Sequence, residues 1–264
     1  MRWDPRQYDR YAAERARPFA DLLARIAPER EPRTVVDLGC GPGTLTATLA
    51  ERWPRAAVTG VDSSPEMIAR AASLVPSAGG RLAFVEADLR DWTPPGPVDV
   101  VVSNAALQWV PGHLDLLPRL VATLAPGGVL ALGVPGNFEA PSHRLLHQVR
   151  EEEPWRDAVG DAVAPHLAGA AGSADAATYL SVLATAGCRV DAWETTYLHV
   201  LDGDDPVLEW LRGTGARPTL AALPDGDRPG FERRLAALLR EAYPRREHGT
   251  VLPFRRVFAV AVRT

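Results

Sequence analysis

Apolar and polar positions along the first half of the chain alternate between two periods. Residues 14–27 place Phe19, Leu22, Leu23 and Ile26 at helical spacing, which predicts an amphipathic helix. Residues 34–39 (TVVDLG) are a short apolar run closed by Asp and Gly and read as a buried strand. From Gly43 to Trp53 a helix is predicted, with Leu45, Leu49 and Trp53 on one side. AVTGVD (57–62) is a second buried strand. SSPEMIARAASL (63–74) opens with Ser and carries Glu66 in its first turn, as a capped helix does. Strands follow at 81–88 (RLAFVEAD) and 98–104 (VDVVVSN). Residues 115–125 predict a helix that Pro126-Gly127-Gly128 stops and turns into strand 129–134. Strand and helix in this rhythm mean parallel βαβ units and a doubly wound α/β sheet.

The rhythm fails after about residue 135. Residues 136–175 are rich in Pro, Gly, Ala and His and read as an irregular, partly helical cap over the carboxyl edge of the sheet. A helix at 175–186 and a strand at 189–199 return to the fold. Residues 205–213 and 229–243 are helical, and VFAVAV (257–262) is a closing strand. The expected organisation is a single domain over 1–264. Within it lie an N-terminal helical arm (1–30), a ligand-binding core (31–135), the cap (136–175) and a C-terminal part (176–264) that completes the sheet and an acceptor site.

Composition changes this picture little, with two exceptions. The chain has 264 residues and a net charge of −4, so no global basic field attracts nucleic acid. Every one of its 29 basic residues other than His is Arg. An anion site here must therefore use Arg, His or backbone N–H groups, and Lys is not available as a base. The two Cys, Cys40 and Cys188, form neither a disulfide framework nor a zinc pattern. The N-terminus lacks an apolar signal core and no stretch approaches the roughly 18–20 apolar residues of a membrane span. A cytoplasmic protein with no metal is expected; the oligomeric state is not legible.

The informative motif is Asp37-Leu38-Gly39-Cys40-Gly41-Pro42-Gly43, between a strand and a helix. A dinucleotide fingerprint reads G-x-G-x-x-G; here the third glycine comes two residues after the second. The carboxylate of Asp37 would hinder pyrophosphate and help an ammonium or sulfonium ligand. The second strand ends in Asp62, where a carboxylate can accept both hydroxyls of a ribose. Ser63 and Met67 belong to the same candidate site. The third strand runs into Glu86-Ala87-Asp88-Leu89, where Asp88 can take an adenine amino group and Leu89 its ring. The fourth ends in Ser103-Asn104-Ala105-Ala106, and Asn104 would line a methionine portion. Asp62 and Asp88 could also merely cap the helices that follow.

DLGCGPG, VDSSPEMI and VEADLRDW together resemble the seven-stranded class I S-adenosylmethionine-dependent methyltransferases over residues 34–134. The resemblance implies S-adenosyl-L-methionine as cofactor, a mostly parallel sheet of order 3-2-1-4-5-7-6, and a Rossmann-like fold. The remaining segments (3–26, 103–113, 135–146, 186–218 and 243–261) resemble the trans-aconitate 2-methyltransferases; residues 150–178 match least. That family methylates one carboxylate of trans-aconitate. A tricarboxylate needs cations, and the candidates are Arg217, Arg255, Arg256 and, on a preceding helix, Arg212. Tyr8, Tyr11, Trp109, His143 and Tyr197 are candidate polar contacts. Each has a plainer reading, as a surface pair, a cap or packing. An ionised carboxylate needs no general base, so no essential acid or base residue is expected. Two alternatives stand beside this reading: another small acid, phenol or amine as acceptor, and a cofactor-binding module without catalysis. A nucleic-acid methyltransferase would carry an Asn-Pro-Pro-aromatic motif where this chain has SNAALQW.

Overall fold

The computed structural model describes residues 12–27, 30–78, 80–159 and 172–264. The parallel part of the sheet is built from β1 (Thr34–Leu38), β2 (Ala57–Asp62), β3 (Leu82–Glu86), β4 (Val98–Asn104) and β5 (Leu124–Pro135). Two long strands, β6 (Cys188–Leu201) and β7 (Thr250–Arg263), complete it in the order β3-β2-β1-β4-β5-β7-β6. Only β7 runs antiparallel, against both β5 and β6. The doubly wound, seven-stranded reading of the sequence is thus the fold observed.

Strands covered on both faces read as continuous apolar runs, and two cores explain those runs here. Against one face, Val36, Leu38, Val101 and Leu130 pack on α4 (His113–Ala122) and α6 (Ala176–Thr185). Against the other, Val35, Val58, Val100 and Phe258 pack on α1 (Ala12–Leu23) and α2 (Thr44–Arg52). The helix after β2, α3 (Pro65–Ala71), begins one residue later than its first Ser suggests. Ser64 is its cap, accepting from the Met67 N–H at 3.3 Å, and the exposed Ser63 takes no part in capping. Pro126-Gly127-Gly128 does not separate α4 from β5. It is a bend within β5, which already pairs Leu124 with Val98 and shifts register before Val129 meets Val100.

The sequence understated the last two strands most. Pro135 ends β5 opposite Arg256, whereas β6 and β7 stay paired out to Leu201 and Thr250. Residues 196–201 and 250–255 therefore form a two-stranded ribbon that rises past the carboxyl edge of the sheet. It carries Leu201 and Leu252 into a third core. That core joins α5 (Pro141–Arg150), α7 (Pro206–Arg212) and α9 (Arg228–Ala242), with α8 (Arg217–Ala222) between the last two. The helical layer over the edge thus draws on two separated stretches of chain, and α5 packs directly on α9.

Phe231 lies at the centre of this layer, fully buried and edge-on to Trp155 at 5.5 Å. Replacing it with Ala should cost about 3–5 kcal/mol of unfolding free energy, read by chemical denaturation. A loss below about 1 kcal/mol would show that the layer is not packed as described.

Candidate active site

The chain leaves β1 through the glycine loop and crosses the end of β2, with the N–H groups of Gly39 and Cys40 both donating to the Val61 carbonyl. Gly39 and Gly43 each have φ 78°, and neither has room for a side chain. A Cβ on Gly39 would lie 2.1 Å from the Ala106 Cβ, and one on Gly43 2.6 Å from the Phe84 ring. Gly41 differs. A Cβ there would meet nothing within 4 Å, so its backbone faces open space at the middle of the loop. This is the exposed backbone that an approaching ligand needs, and it fits the cofactor implied by the sequence.

Asp62 fixes the loop. Its Oδ2 accepts the Gly41 N–H and its Oδ1 the Ser64 N–H, both at 2.9 Å. An ionised carboxylate has about four acceptor positions, so two remain for a ligand. Asp37 is buried and accepts a 2.6 Å hydrogen bond from the Thr46 hydroxyl on α2. Burial, and the negative charge of Asp62 in smaller part, push its pKa up to about 6 despite that bond. The carboxylate of Asp88 is gripped by the Arg90 guanidinium at 2.6–3.1 Å and holds its own turn through the Arg90 N–H. The Arg90 hydrogen bonds keep it below the usual carboxylate range. Leu89 is buried beside Gly39, and Met67 is buried at the start of α3.

At the end of β4, Asn104 is followed by Ala105 in a left-handed conformation (φ 56°), uncommon for a residue with a side chain. Gln108, which drew no attention in the sequence, braces this bend by donating from Nε2 to the Ala105 carbonyl at 2.7 Å. Its buried Oε1 has no hydrogen-bond partner among the described residues. Trp109, next to it, is 43 % exposed.

The acceptor candidates separate into groups. Successive residues of a strand face opposite sides, and Arg255 and Arg256 do so. Arg255 is engaged by both oxygens of Glu194 at 2.6–2.8 Å and donates to the Gly136 carbonyl. Arg256 is 5 % exposed and donates to the Asn104 side-chain oxygen and, at 3.1 Å, to the Gly133 carbonyl. Tyr197 shares the Arg256 side of the ribbon, but its hydroxyl donates to Asp21 of α1 at 2.7 Å, under the Arg17 guanidinium. Arg212 pairs with Glu209 and Glu232. His143 stands at the start of α5, its Nδ1 3.4 Å from Asn137 Nδ2 and 3.2 Å from Ser142 Oγ. Burial first, then the charges of His147 and Arg150, push it down to about 4, so it is neutral at pH 7. Gly215 lies against its Nε2, two residues before Arg217, the first residue of α8. Tyr8 and Tyr11 lie outside the described residues. Among those described, no cluster of His, Cys, Asp or Glu is built to hold a metal, and no helix is long and apolar enough to cross a membrane.

Comparison with known proteins places the chain in a family. Residues 35–128 match the methyltransferase domain family. The trans-aconitate 2-methyltransferase of Streptomyces avermitilis is 55 % identical over 98 % of this chain and 96 % of its own length. That of Rhodococcus jostii is 50 % identical, with 98 % of each chain covered. Among solved structures, the YcgJ protein of Bacillus subtilis superposes with a TM-score of 0.58 at 11 % identity, covering 93 % of this chain and 97 % of its own. A Haemonchus contortus phosphoethanolamine N-methyltransferase superposes with a TM-score of 0.56 at 17 % identity, over 94 % and 52 %. Such distant likenesses speak to the fold alone. The relatives at half identity or more, aligned end to end, speak to the family, and this chain belongs to the trans-aconitate 2-methyltransferases.

Proposed function

We propose that this protein transfers the methyl group of S-adenosyl-L-methionine to one carboxylate of trans-aconitate, giving a monomethyl ester. The observation that carries the reading is the end of β4. Asn104 holds the buried guanidinium of Arg256, and two residues later Ala106 closes against Gly39 of the glycine loop. Three consecutive residues therefore set the spacing between an acid-bearing loop and a buried cation.

Bound at the loop, S-adenosyl-L-methionine supplies a methyl group on a positively charged sulfur. Asp37 would face the ammonium of its amino-acid portion, and the free acceptor positions of Asp62 its ribose hydroxyls. Asp88 would offer the adenine amino group what Arg90 leaves, with Leu89, Met67 and Ser63 nearby. Arg256, Arg217 and the neutral His143 would receive the acceptor. A carboxylate oxygen of the acceptor forms the new C–O bond while the C–S bond breaks and its electron pair returns to sulfur. No proton moves, and the carboxylate is ionised at neutral pH. The reading therefore assigns no residue as general acid or base and asks for no metal. The protein's contribution is to hold the oxygen roughly 3 Å from the methyl carbon and in line, and to exclude water while opposite charges cancel.

Purified protein should release S-adenosyl-L-homocysteine fastest with trans-aconitate in a panel holding cis-aconitate, citrate, isocitrate, itaconate and a phenolic acid. Turnover of the phenolic acid alone would move the acceptor to another class. Arg256→Gln should raise KM for trans-aconitate by at least about 30-fold while cofactor affinity stays, because truncating one partner of a buried charge contact costs 2–5 kcal/mol. His143→Asn should keep kcat within about an order of magnitude, below the 10²–10⁴-fold contribution of a true general base; a larger fall would reinstate a base. Cation binding favours the ionised form of Asp37, which is protonated below about pH 6. Affinity for S-adenosyl-L-homocysteine, measured by calorimetry, should weaken as pH falls from 7 to 5 and be flat in Asp37→Asn. A pH-independent wild type would remove Asp37 from the ammonium site.

A further inference from the structure

His143, His147 and Arg150 follow one another at i, i+4 and i+7 along α5, so they line one stripe of the helix. Arg150 closes that stripe in an unusual setting. It is 5 % exposed, and its partners are neutral: Nε donates to the Thr219 hydroxyl at 2.6 Å and Nη2 to the Gly215 carbonyl at 3.3 Å. The same helical layer supplies carboxylates freely elsewhere. Arg212 has Glu209 and Glu232, Arg234 has Glu152, and Arg240 has Asp205, all at sites more open than that of Arg150. Arg150 itself makes no ion pair with any carboxylate of the described residues, only feeling the charge of neighbouring Glu151, and a charge buried this far is costly to leave without a partner. Burial pulls its pKa down to about 10, so it remains charged at neutral pH.

A second observation comes from the other end of the stripe. Asn137 is 7 % exposed, and while its Nδ2 faces His143, its Oδ1 has no hydrogen-bond partner among the described residues. A half-turn of the amide would give an N–H of His143 an acceptor and present the NH₂ group to an anion. Gly215 joins the two ends, its carbonyl on Arg150 and its open side toward His143, where a Cβ would lie 3.1 Å from Nε2. Of the five N–H donors of a guanidinium, these contacts use two, and the Nη1 end is left for a fork onto a carboxylate.

We propose that Arg150, with Asn137 and His143, forms a subsite for a carboxylate of the acceptor that is not methylated. This subsite selects tricarboxylates over shorter acids. The proposal rests on the polycarboxylate reading given above. The sequence offered no hint of it, because Arg150 stands just before an acidic run in a stretch that reads only as an irregular, partly helical cap.

The test is steady-state kinetics of the full-length wild type, Arg150→Gln, Arg150→Lys and Thr219→Val, with trans-aconitate and with two dicarboxylates, itaconate and glutaconate. Arg150→Gln should raise KM for trans-aconitate by about 30-fold or more, change kcat little, and leave KM for at least one dicarboxylate nearly unchanged. The preference for the tricarboxylate would then collapse. Arg150→Lys keeps the charge without the fork and should recover part of that preference, whereas Thr219→Val should keep most of it. Equal losses on all acceptors in both Arg150→Gln and Thr219→Val, with a lowered melting temperature, would make Arg150 a strut between α5 and α8 and overturn the proposal. Should the wild type turn over none of these acids yet bind S-adenosyl-L-homocysteine, the polycarboxylate reading itself falls and takes the subsite with it.

Discussion

Two hydrogen bonds to one carboxylate hold the working edge of this molecule in place. Asp62 stands at the end of β2 and takes the backbone N–H of Gly41 on one side and of Ser64 on the other. Two crossover loops, each leading from a strand into a helix, thereby share one anchor. The loop it steadies has no spare volume at Gly39 or Gly43, while Gly41 is left facing open space. Pre-organised in this way, the loop owes little to a ligand for its shape, and binding has less conformational freedom to remove.

Charge is segregated along the edge. Carboxylates gather on its first half, at Asp37, Asp62, Glu86 and Asp88, where β1, β2 and β3 end. Guanidinium groups gather on its second half, with Arg256, midway along β7, buried beside the ends of β4 and β5, and Arg150 and Arg217 in the helices above. A cationic methyl donor and an anionic acceptor would each meet the opposite sign, and the strand between the two halves is β4. In this part of the chain the protein's chemistry resides in placement. Asp37 and His143 have pKa values displaced mainly by burial, and the proposed reaction moves no proton through either.

Sequence and structure part company where side chains choose partners from distant parts of the chain. Arg255 and Arg256 are adjacent and read as equivalents, yet the strand alternation sends one to Glu194 and the other to Asn104. Tyr197 read as an acceptor contact, and its hydroxyl is taken by Asp21, 176 positions away. Asp88 kept two readings in the sequence; its tie to Arg90 is local, whereas its distance from a ligand is not. Gln108 and Arg150 carried no visible signal, because a polar residue in a short turn or at a helix end is ordinarily solvated.

The sequence by itself determined the parallel half of the sheet, the glycine loop and the row of acids behind it. These are local properties: a strand buried on both faces must be apolar throughout, and a loop that turns this sharply with positive φ must be glycine. Tertiary structure alone decided how far β6 and β7 run past the edge, which separated helices join above it, and which arginines lose their solvent. Ribbon length depends on cross-strand pairing over 14 residues of each strand. Burial of a guanidinium depends on neighbours more than 60 positions away, such as Gly215 and Thr219 for Arg150. Neither quantity leaves a period or a motif in the chain, since both arise from the summed packing of elements that are unremarkable one at a time.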